Sequence, residues 1–584
     1  MPEIHEYLRN NIQNALSQMG DVPEEFAVEF QTPGNPDHGD LASNAAMQLA
    51  KVFRKSPRQI AEELVDRLDA LPLDKRKIRS VEVAGAGFLN FWFGSEHLFE
   101  GLRQILKAAD DYGKSSISQE AVEGVSSKDP SPSDHPQPKT ALVEFVSANP
   151  TGPLTVGHGR NAVLGDTIAN LLSWSGYDVS REYYFNDAGR QMRVLSESVR
   201  ARYLARVNPE IATKTIGSDD ETIVVPEPFP DDGYLGDYID EIAAEIFTKY
   251  GKELENDVES DVFKTVAKEK IFTEIKATLE RLGIRMDSYF NEKTLYDSGR
   301  IWKIVDRFKE LDLAYEKDGA TWFKTTEFGK EQDTVLIKSS GEPTYRLPDI
   351  GYHIDKIERG YSLMVDVFGA DHIATFPDVV NGVKSLGYDP SGIDVVIYQF
   401  VTLVRGNEPV KMSTRKAQYV TLDDLIDEVS EDVTRFFFLM RSANTHLEFD
   451  LDLAREASDK NPVFYLQYAH ARICSILRKA EEVGFAADKN ANLDLLKHDS
   501  EIALVKVLLH FPEIISRASE SREPHRVATY LREVAVQFTQ FYSHCRIIGE
   551  TEDLASARML LAIASKIVLR NGLTVLGISA PDRM

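Results

Sequence analysis

Cysteine is nearly absent from this 584-residue chain. Cys474 and Cys545 are the only two, and they show no paired spacing. Two thiols cannot build a structural zinc cluster, so no metal site is expected, and they read as reduced thiols of an intracellular protein. No run of about 18 apolar residues occurs, so no membrane-spanning helix is expected. The opening MPEIHEYLRNNIQ lacks the basic-then-apolar order of an export signal, and a cytoplasmic location is the expectation. Positive charge is also scarce. Lys plus Arg number 67 against 93 Asp plus Glu, a net −26, which argues against a protein that coats polyanions with its whole surface. One local anionic partner remains compatible, because from Asn461 to the end 15 basic and 14 acidic side chains nearly cancel.

What is present suffices for several cores: 42% of residues are hydrophobic, and the length suits roughly three to five domains. Residues 1–112 read as a small α+β unit. Asp40, after Gly39, is the expected N-cap of a helix carrying Leu41, Ala45, Leu49 and Val52 on one face. The run SVEVAGAGFLNFWF alternates as a strand, broken by small residues at 84–87. Period two places Phe88, Asn90 and Trp92 on one face and Leu89, Phe91 and Phe93 on the other. Residues 113–139, rich in Ser, Pro and Asp, read as a linker.

From Thr140 the texture changes. A buried-type strand over 141–146 leads through a Pro/Gly turn into a helix with Leu164, Ile168 and Leu171 on one side, the opening unit of a parallel α/β sheet. That domain is expected over 140–458, with an acidic, helical insertion at about 208–285 and strand-like runs at 334–338, 363–368 and 395–404. Residues 459–584 read as helices almost throughout, with a short break near 485–492. No internal repeat is evident.

Two segments carry chemistry. In SANPTGPLTVGHGRNAVLGD, prolines and glycines fix a tight path from strand to helix, and Gly157-His158 falls at the helix start. Unpaired N–H groups and the positive end of the helix dipole favour a phosphate there. A histidine at this place also serves simply as a cap. In VKMSTRKAQYV, Lys411, Arg415 and Lys416 flank Ser413-Thr414. A short basic loop with hydroxyls can close over a triphosphate and stabilise a leaving pyrophosphate, although alone it reads equally as a solvated turn.

Together the two segments resemble a class I aminoacyl-tRNA synthetase, with Thr155–His158 and Lys411–Arg415 at its two signature positions. More narrowly, the chain resembles the arginyl-tRNA synthetases. EFVSANPTGPLTVGHGR, REYYFNDAGRQ, YLGDY, TYRLPDIGYHIDK, FGADH and NPVFYLQYAHARI carry that match, and GDLASNAAMQLAK and GFLN resemble the family's extra N-terminal domain. The resemblance implies a Rossmann-like catalytic domain, an N-terminal tRNA-contacting domain and a C-terminal all-α anticodon-binding bundle. It implies ATP, Mg²⁺, L-arginine and tRNA(Arg) as substrates and partners, a monomer, and amino-acid activation that needs bound tRNA. Two departures stand out. Thr155 replaces the first signature histidine and keeps a hydroxyl donor without charge. Arg415 stands for the second lysine of the loop and keeps the charge on a planar fork.

The resemblance assigns Thr155, Gly157, His158, Lys411, Met412 and Ser413 to ATP, with His158, Lys411, Thr155 and Gly157 serving the chemistry. It assigns Glu144, Asn149, Tyr345 and Asp349 to arginine. Glu144 and Asp349 would take the guanidinium, which suits the demand of that group for carboxylates and an aromatic face. Asn149 would hold the backbone end of the amino acid. Tyr345 and Asp349 share a helical face, although Pro348 also fits a loop or a first turn. Asp371 and His372 are further candidates for substrate or adenosine. Asn90, flanked by Phe88 and Trp92, suits an unstacked base, and Tyr465, Tyr468 and Arg472 suit a splayed anticodon loop. Two other readings share parts of this pattern: a different HxGH nucleotidyl transferase, and a tRNA-binding protein without catalysis, for which Thr155 is the sole support.

Overall fold

The computed structural model describes residues 2–115, 139–218, 221–410 and 420–584, apart from 24, 34, 36, 37, 72, 259 and 407. Most of the expected linker, and residues 411–419 with Lys411, Met412 and Ser413, lie outside these.

The central domain is built on five parallel strands. In spatial order they are Ile393–Tyr398, Leu363–Gly369, Thr140–Glu144, Asp178–Phe185 and Ser288–Asn291. Chain order therefore reverses between Thr140–Glu144 and Leu363–Gly369. In such doubly wound sheets the crevice beyond the carboxyl ends at this reversal is where ligands bind. The helix Val156–Trp174, which follows the first strand, is buried on almost every side, and its polar Arg160, Asn161 and Asp166 are accommodated by hydrogen bonds to neighbouring segments.

The interval read as helical, 208–285, begins instead with a two-stranded hairpin, Thr213–Ser218 against Glu221–Pro226. The β-branched residues of TKTIGS and ETIVVP favour pleated packing over a helix. Helices Asp237–Tyr250 and Val262–Arg281 follow. A second insertion, between the third and fourth strands of the sheet in chain order, carries the antiparallel strands Ala314–Lys317, Ala320–Phe323 and Thr334–Ile337 and leads into the helix Arg346–Glu358. Its own core, Ile301, Ile304, Phe308, Leu347 and Ile350 among others, seats that helix beside the sheet.

Beyond this central domain, helices Pro462–Glu482, Asp499–Leu509, Phe511–Ser521, His525–His544 and Glu552–Val575 form the C-terminal bundle. The N-terminal unit is α+β, with three antiparallel strands in the order Leu41–Ser43, Phe88–Phe93, Ile78–Ala84. The helix expected from Asp40 is not formed at its start. Leu41–Ser43 pairs with Leu89–Phe91, and short helices begin only at Ala45. Asp40 turns away from any capping role because its carboxylate accepts the Phe93 N–H at 2.7 Å and pairs with Lys506 of the bundle at 2.6 Å. The helix Ser95–Ala108 docks on the same bundle surface, where a Cβ on Gly101 would lie 2.5 Å from Leu509 Cδ2.

Candidate active site

The turn after the first strand is strained and over-determined. Val146 and Ser147 take φ of 67° and 46°, a region that β-branched residues occupy only when their surroundings hold them there. Asn161 supplies that hold. Its Oδ1 accepts the Val146 N–H at 2.6 Å, and its Nδ2 donates to the Val367 carbonyl at 2.9 Å. One side chain of the signature helix thus ties both strands of the chain reversal.

Thr155 caps that helix. Its N–H donates to His158 Nδ1 at 3.1 Å, and its hydroxyl lies 3.2 Å from the same nitrogen. An accepting Nδ1 leaves the ring proton on Nε2, and Nε2 has no partner among the described residues. Burial holds the imidazole below its ordinary pKa, so a neutral ring presents one N–H donor. The capping role and the phosphate role are therefore compatible, one for each nitrogen.

The glycines of this helix separate into two kinds. A Cβ on Gly165 would meet Phe145 Cγ at 2.2 Å and Cβ at 2.3 Å, so packing demands glycine there, and one on Gly159 would press on the tip of Leu422 at 2.5 Å, which would have to shift. A Cβ on Gly157 would meet only Thr155 Oγ1, at 3.8 Å. The fold does not require glycine at 157; the space above it is free for a ligand. Gly157→Ala is expected to leave the Tm unchanged and to raise the KM for ATP about tenfold. Gly165→Ala is expected to destabilise the domain by about 1–3 kcal/mol. Thermal melts beside ATP titrations check the contrast.

Both flanks of the basic loop are anchored near this turn. The Val410 N–H donates to the Leu403 carbonyl at 2.9 Å. On the other flank Thr421 bridges Thr155, and the Leu422 N–H donates to the Leu154 carbonyl at 2.8 Å. The sequence places Lys411, Met412 and Ser413 between these anchors.

Beside the turn lies an acidic pocket. Glu144 ends the first strand and is buried, accepting from Lys356 Nζ at 2.6 Å and from Ser147 Oγ at 3.0 Å. Lys356, itself fully buried, also pairs with Asp366 at 2.5 Å, and His353 Nε2 lies 2.8 Å from the other Asp366 oxygen. Burial alone would raise Asp366, but Lys356 and His353 outweigh it and hold the carboxyl well below the usual range. Glu144 shifts the other way. Burial raises it, and Lys356 offsets that only in part.

Asp349 lies in the first turn of Arg346–Glu358, after Tyr345 at the N-cap position. The turn geometry left open by Pro348 is thus settled as helical. No hydrogen-bond partner reaches the Asp349 carboxylate among the described residues, and burial, with Glu144 and Glu292 adding, pushes its pKa up to about 7. Glu292 faces the same space. Its oxygens accept from Tyr184 OH and Asn186 Nδ2, each at 2.8 Å. Burial raises its pKa as well. Three carboxyls with raised pKa around one space, with Lys356 as the buried cation beside them, suit a further cationic group. Glu144 already has Lys356, so Asp349 and Glu292 are the carboxylates with unmet charge.

The remaining arginine candidates stand at the rim. Asn149 Oδ1 accepts the Asn186 N–H at 2.9 Å, and its Nδ2 donates to Gln191 Oε1 at 2.7 Å. Tyr345 is 82% exposed, its ring open at the mouth. Asp371 lies beyond the end of Leu363–Gly369 and is exposed, next to His372, which stacks on Phe368 at 4.9 Å.

Of the nucleic-acid candidates, Asn90 is only 3% exposed, with half-buried Phe88 and Trp92 on either side. In the bundle, Phe464 and Tyr468 stack with centroids 6.1 Å apart. The Arg472 guanidinium lies 4.8 Å from Tyr468 and 5.3 Å from Tyr542, and both rings are exposed. Tyr465 points elsewhere, its hydroxyl 3.2 Å from Thr539 Oγ1. Glu292, Tyr184, Asn186 and Lys356 were not singled out from sequence, although Tyr184 and Asn186 fall within the matched segment REYYFNDAGRQ and Lys356 ends TYRLPDIGYHIDK.

Comparison with known proteins agrees with this geometry. Residues 123–445 match the family model described as tRNA synthetases class I (R), catalytic domain. Residues 6–93 match the arginyl tRNA synthetase N terminal domain, and 466–584 the DALR anticodon binding domain. The chain is 58% identical to the arginine–tRNA ligase of Salinibacter ruber over 99% of this chain and 100% of the relative. It is 46% identical to that of Pelodictyon phaeoclathratiforme over 99% and 100%. The arginyl-tRNA synthetase structure from Thermus thermophilus shares the fold, with a TM-score of 0.72 at 24% identity over 99% of this chain and 100% of the other. A family model over more than half the chain and full-length relatives at this identity leave one conclusion: the chain belongs to the arginyl-tRNA synthetases, the arginine–tRNA ligases of class I.

Proposed function

We propose that the chain activates L-arginine with ATP, bound as its magnesium complex, and passes the arginyl group to the 3′-terminal adenosine of tRNA(Arg). The observation that carries this is the adjacency of the two halves of the site. Glu144, on the wall of the acidic pocket, ends the strand whose following turn leads to Thr155, Gly157 and His158. A guanidinium held by Asp349 and Glu292 leaves the α-carboxylate of arginine, steered by Asn149, free to face the phosphates above the helix start.

One carboxylate oxygen attacks the α-phosphorus, the bond to the β-phosphate oxygen breaks, and pyrophosphate leaves with the charge. The Nε2–H of His158 and the free N–H groups of the first turn stabilise that charge, together with Lys411 and the Ser413-Thr414 hydroxyls. In the second step the 2′-hydroxyl of the terminal adenosine attacks the carbonyl carbon, its proton is lost, and AMP departs. No side chain forms a covalent bond to substrate. The stack of Tyr468, Arg472 and Tyr542 serves the anticodon loop, and the N-terminal unit contacts another part of the tRNA through half-buried Phe88 and Trp92, since burial of Asn90 closes its amide to a base. The enzyme works as a monomer in the cytoplasm, and activation waits for bound tRNA.

Arginine-dependent exchange of labelled pyrophosphate into ATP tests this reading. Exchange is expected with tRNA present and not without it. His158→Ala is expected to lower its kcat by about 10²–10³ with the KM for arginine little changed. Exchange that is indifferent to arginine would overturn the reading.

A further inference from the structure

Two residues past the strand Ile393–Tyr398 the main chain is held firmly while one side chain is left open. The Gln399 N–H donates to the Ala443 carbonyl at 2.9 Å, and the Phe400 carbonyl accepts the Leu447 N–H at 3.2 Å. Arg160, wholly buried and two residues beyond His158, donates to the Gln399 carbonyl at 2.5 Å and to the Ser442 and Thr445 carbonyls, each at 3.0 Å. The clamp joins this segment to the first turns of the signature helix. The Phe400 ring nonetheless stands 66% exposed, and no aromatic ring stacks on it among the described residues.

A ring on rigid backbone at the ligand edge of the sheet loses little freedom when something stacks on it. Its neighbour along that edge is also aromatic. Gly369 pairs with Tyr398 in the parallel register, so His372 and Phe400 follow adjacent strand ends. The reaction brings two adenine bases to this edge, one on ATP and one at the end of the tRNA. We propose that Phe400 is the stacking surface for one of them, an adenine base held with its phosphates toward the signature turn.

The inference rests on reading that turn as the nucleotide site, and the test keeps the two apart. Steady-state charging is measured for Phe400→Ala, Phe400→Trp and His158→Ala with ATP, tRNA and arginine varied in turn. Phe400→Ala is expected to raise one nucleotide KM about tenfold, to leave the KM for arginine within about twofold, and to be rescued by Phe400→Trp. A rise for ATP assigns the base of ATP, and a rise for tRNA alone assigns the terminal adenosine. Both values within about twofold of the parent, or a tryptophan variant as weak as the alanine, would overturn the inference. Unaltered activation in His158→Ala would instead remove the site reading beneath it.

Discussion

Asp349→Asn raises the KM for arginine about a hundredfold and leaves kcat at saturation nearly unchanged. Among the described residues no hydrogen bond reaches the carboxylate, so in the proposed complex the guanidinium supplies its charge-assisted hydrogen bonds, and the amide cannot replace them. The Tm stays level or rises, because the substitution removes a carboxyl that burial disfavours; that separates lost recognition from lost folding. Proton linkage gives a second readout. Burial pushes Asp349 up to about 7 in the empty pocket, and a guanidinium favours the ionised form. Arginine affinity is therefore full above that pH and falls below it, the KM rising toward tenfold per unit. The slope flattens in the variant. An unchanged KM at neutral pH would remove Asp349 from the pocket.

The other large effect lies one step back from substrate. Lys356→Met strands Glu144 and Asp366 as two buried carboxylates without their cation, and breaking a buried pair in this way costs about 3–5 kcal/mol. The catalytic domain is expected to melt roughly 10 °C lower. The deficit shrinks as pH falls. With the cation gone burial raises Glu144 further above its unfolded value, while Asp366 keeps His353, so protonation of Glu144 restores part of the stability as pH falls through its raised value. The KM for arginine rises too, because Glu144 loses the contact that sets its position. A loss under about 1 kcal/mol would mean that Lys356 does not organise the pocket.

These two residues also mark how far the sequence could be read. Glu144, Thr155, His158 and Asp349 stand beside local punctuation: the end of an apolar strand, a Pro/Gly turn, a helix start. Lys356 has no such marker. In a helix it reads as a solvated charge, and its burial depends on two strands becoming neighbours although Lys356 and Glu144 are 212 residues apart. Glu292 follows a four-residue strand too short to show a period, and its role comes from Tyr184 and Asn186 across the sheet. The same physics explains the misreading at Asp40. Glycine followed by Asp before an apolar run fits a cap, and only the distant partners Phe93 and Lys506 make it a sheet anchor. Alternation separated the faces of Phe88–Phe93 correctly, but it could not show that Asn90 would be closed over while Phe88 and Trp92 stay half-open.

The most direct test is charging of unfractionated tRNA with each labelled amino acid in turn, with citrulline added as an uncharged isostere of arginine. Arginine alone is expected to be incorporated, because the proposed role of Asp349 and Glu292 is to hold a cationic side chain. Charging with citrulline at a comparable rate would contradict the role given to the carboxylates, and no charging of any amino acid would contradict the reaction itself.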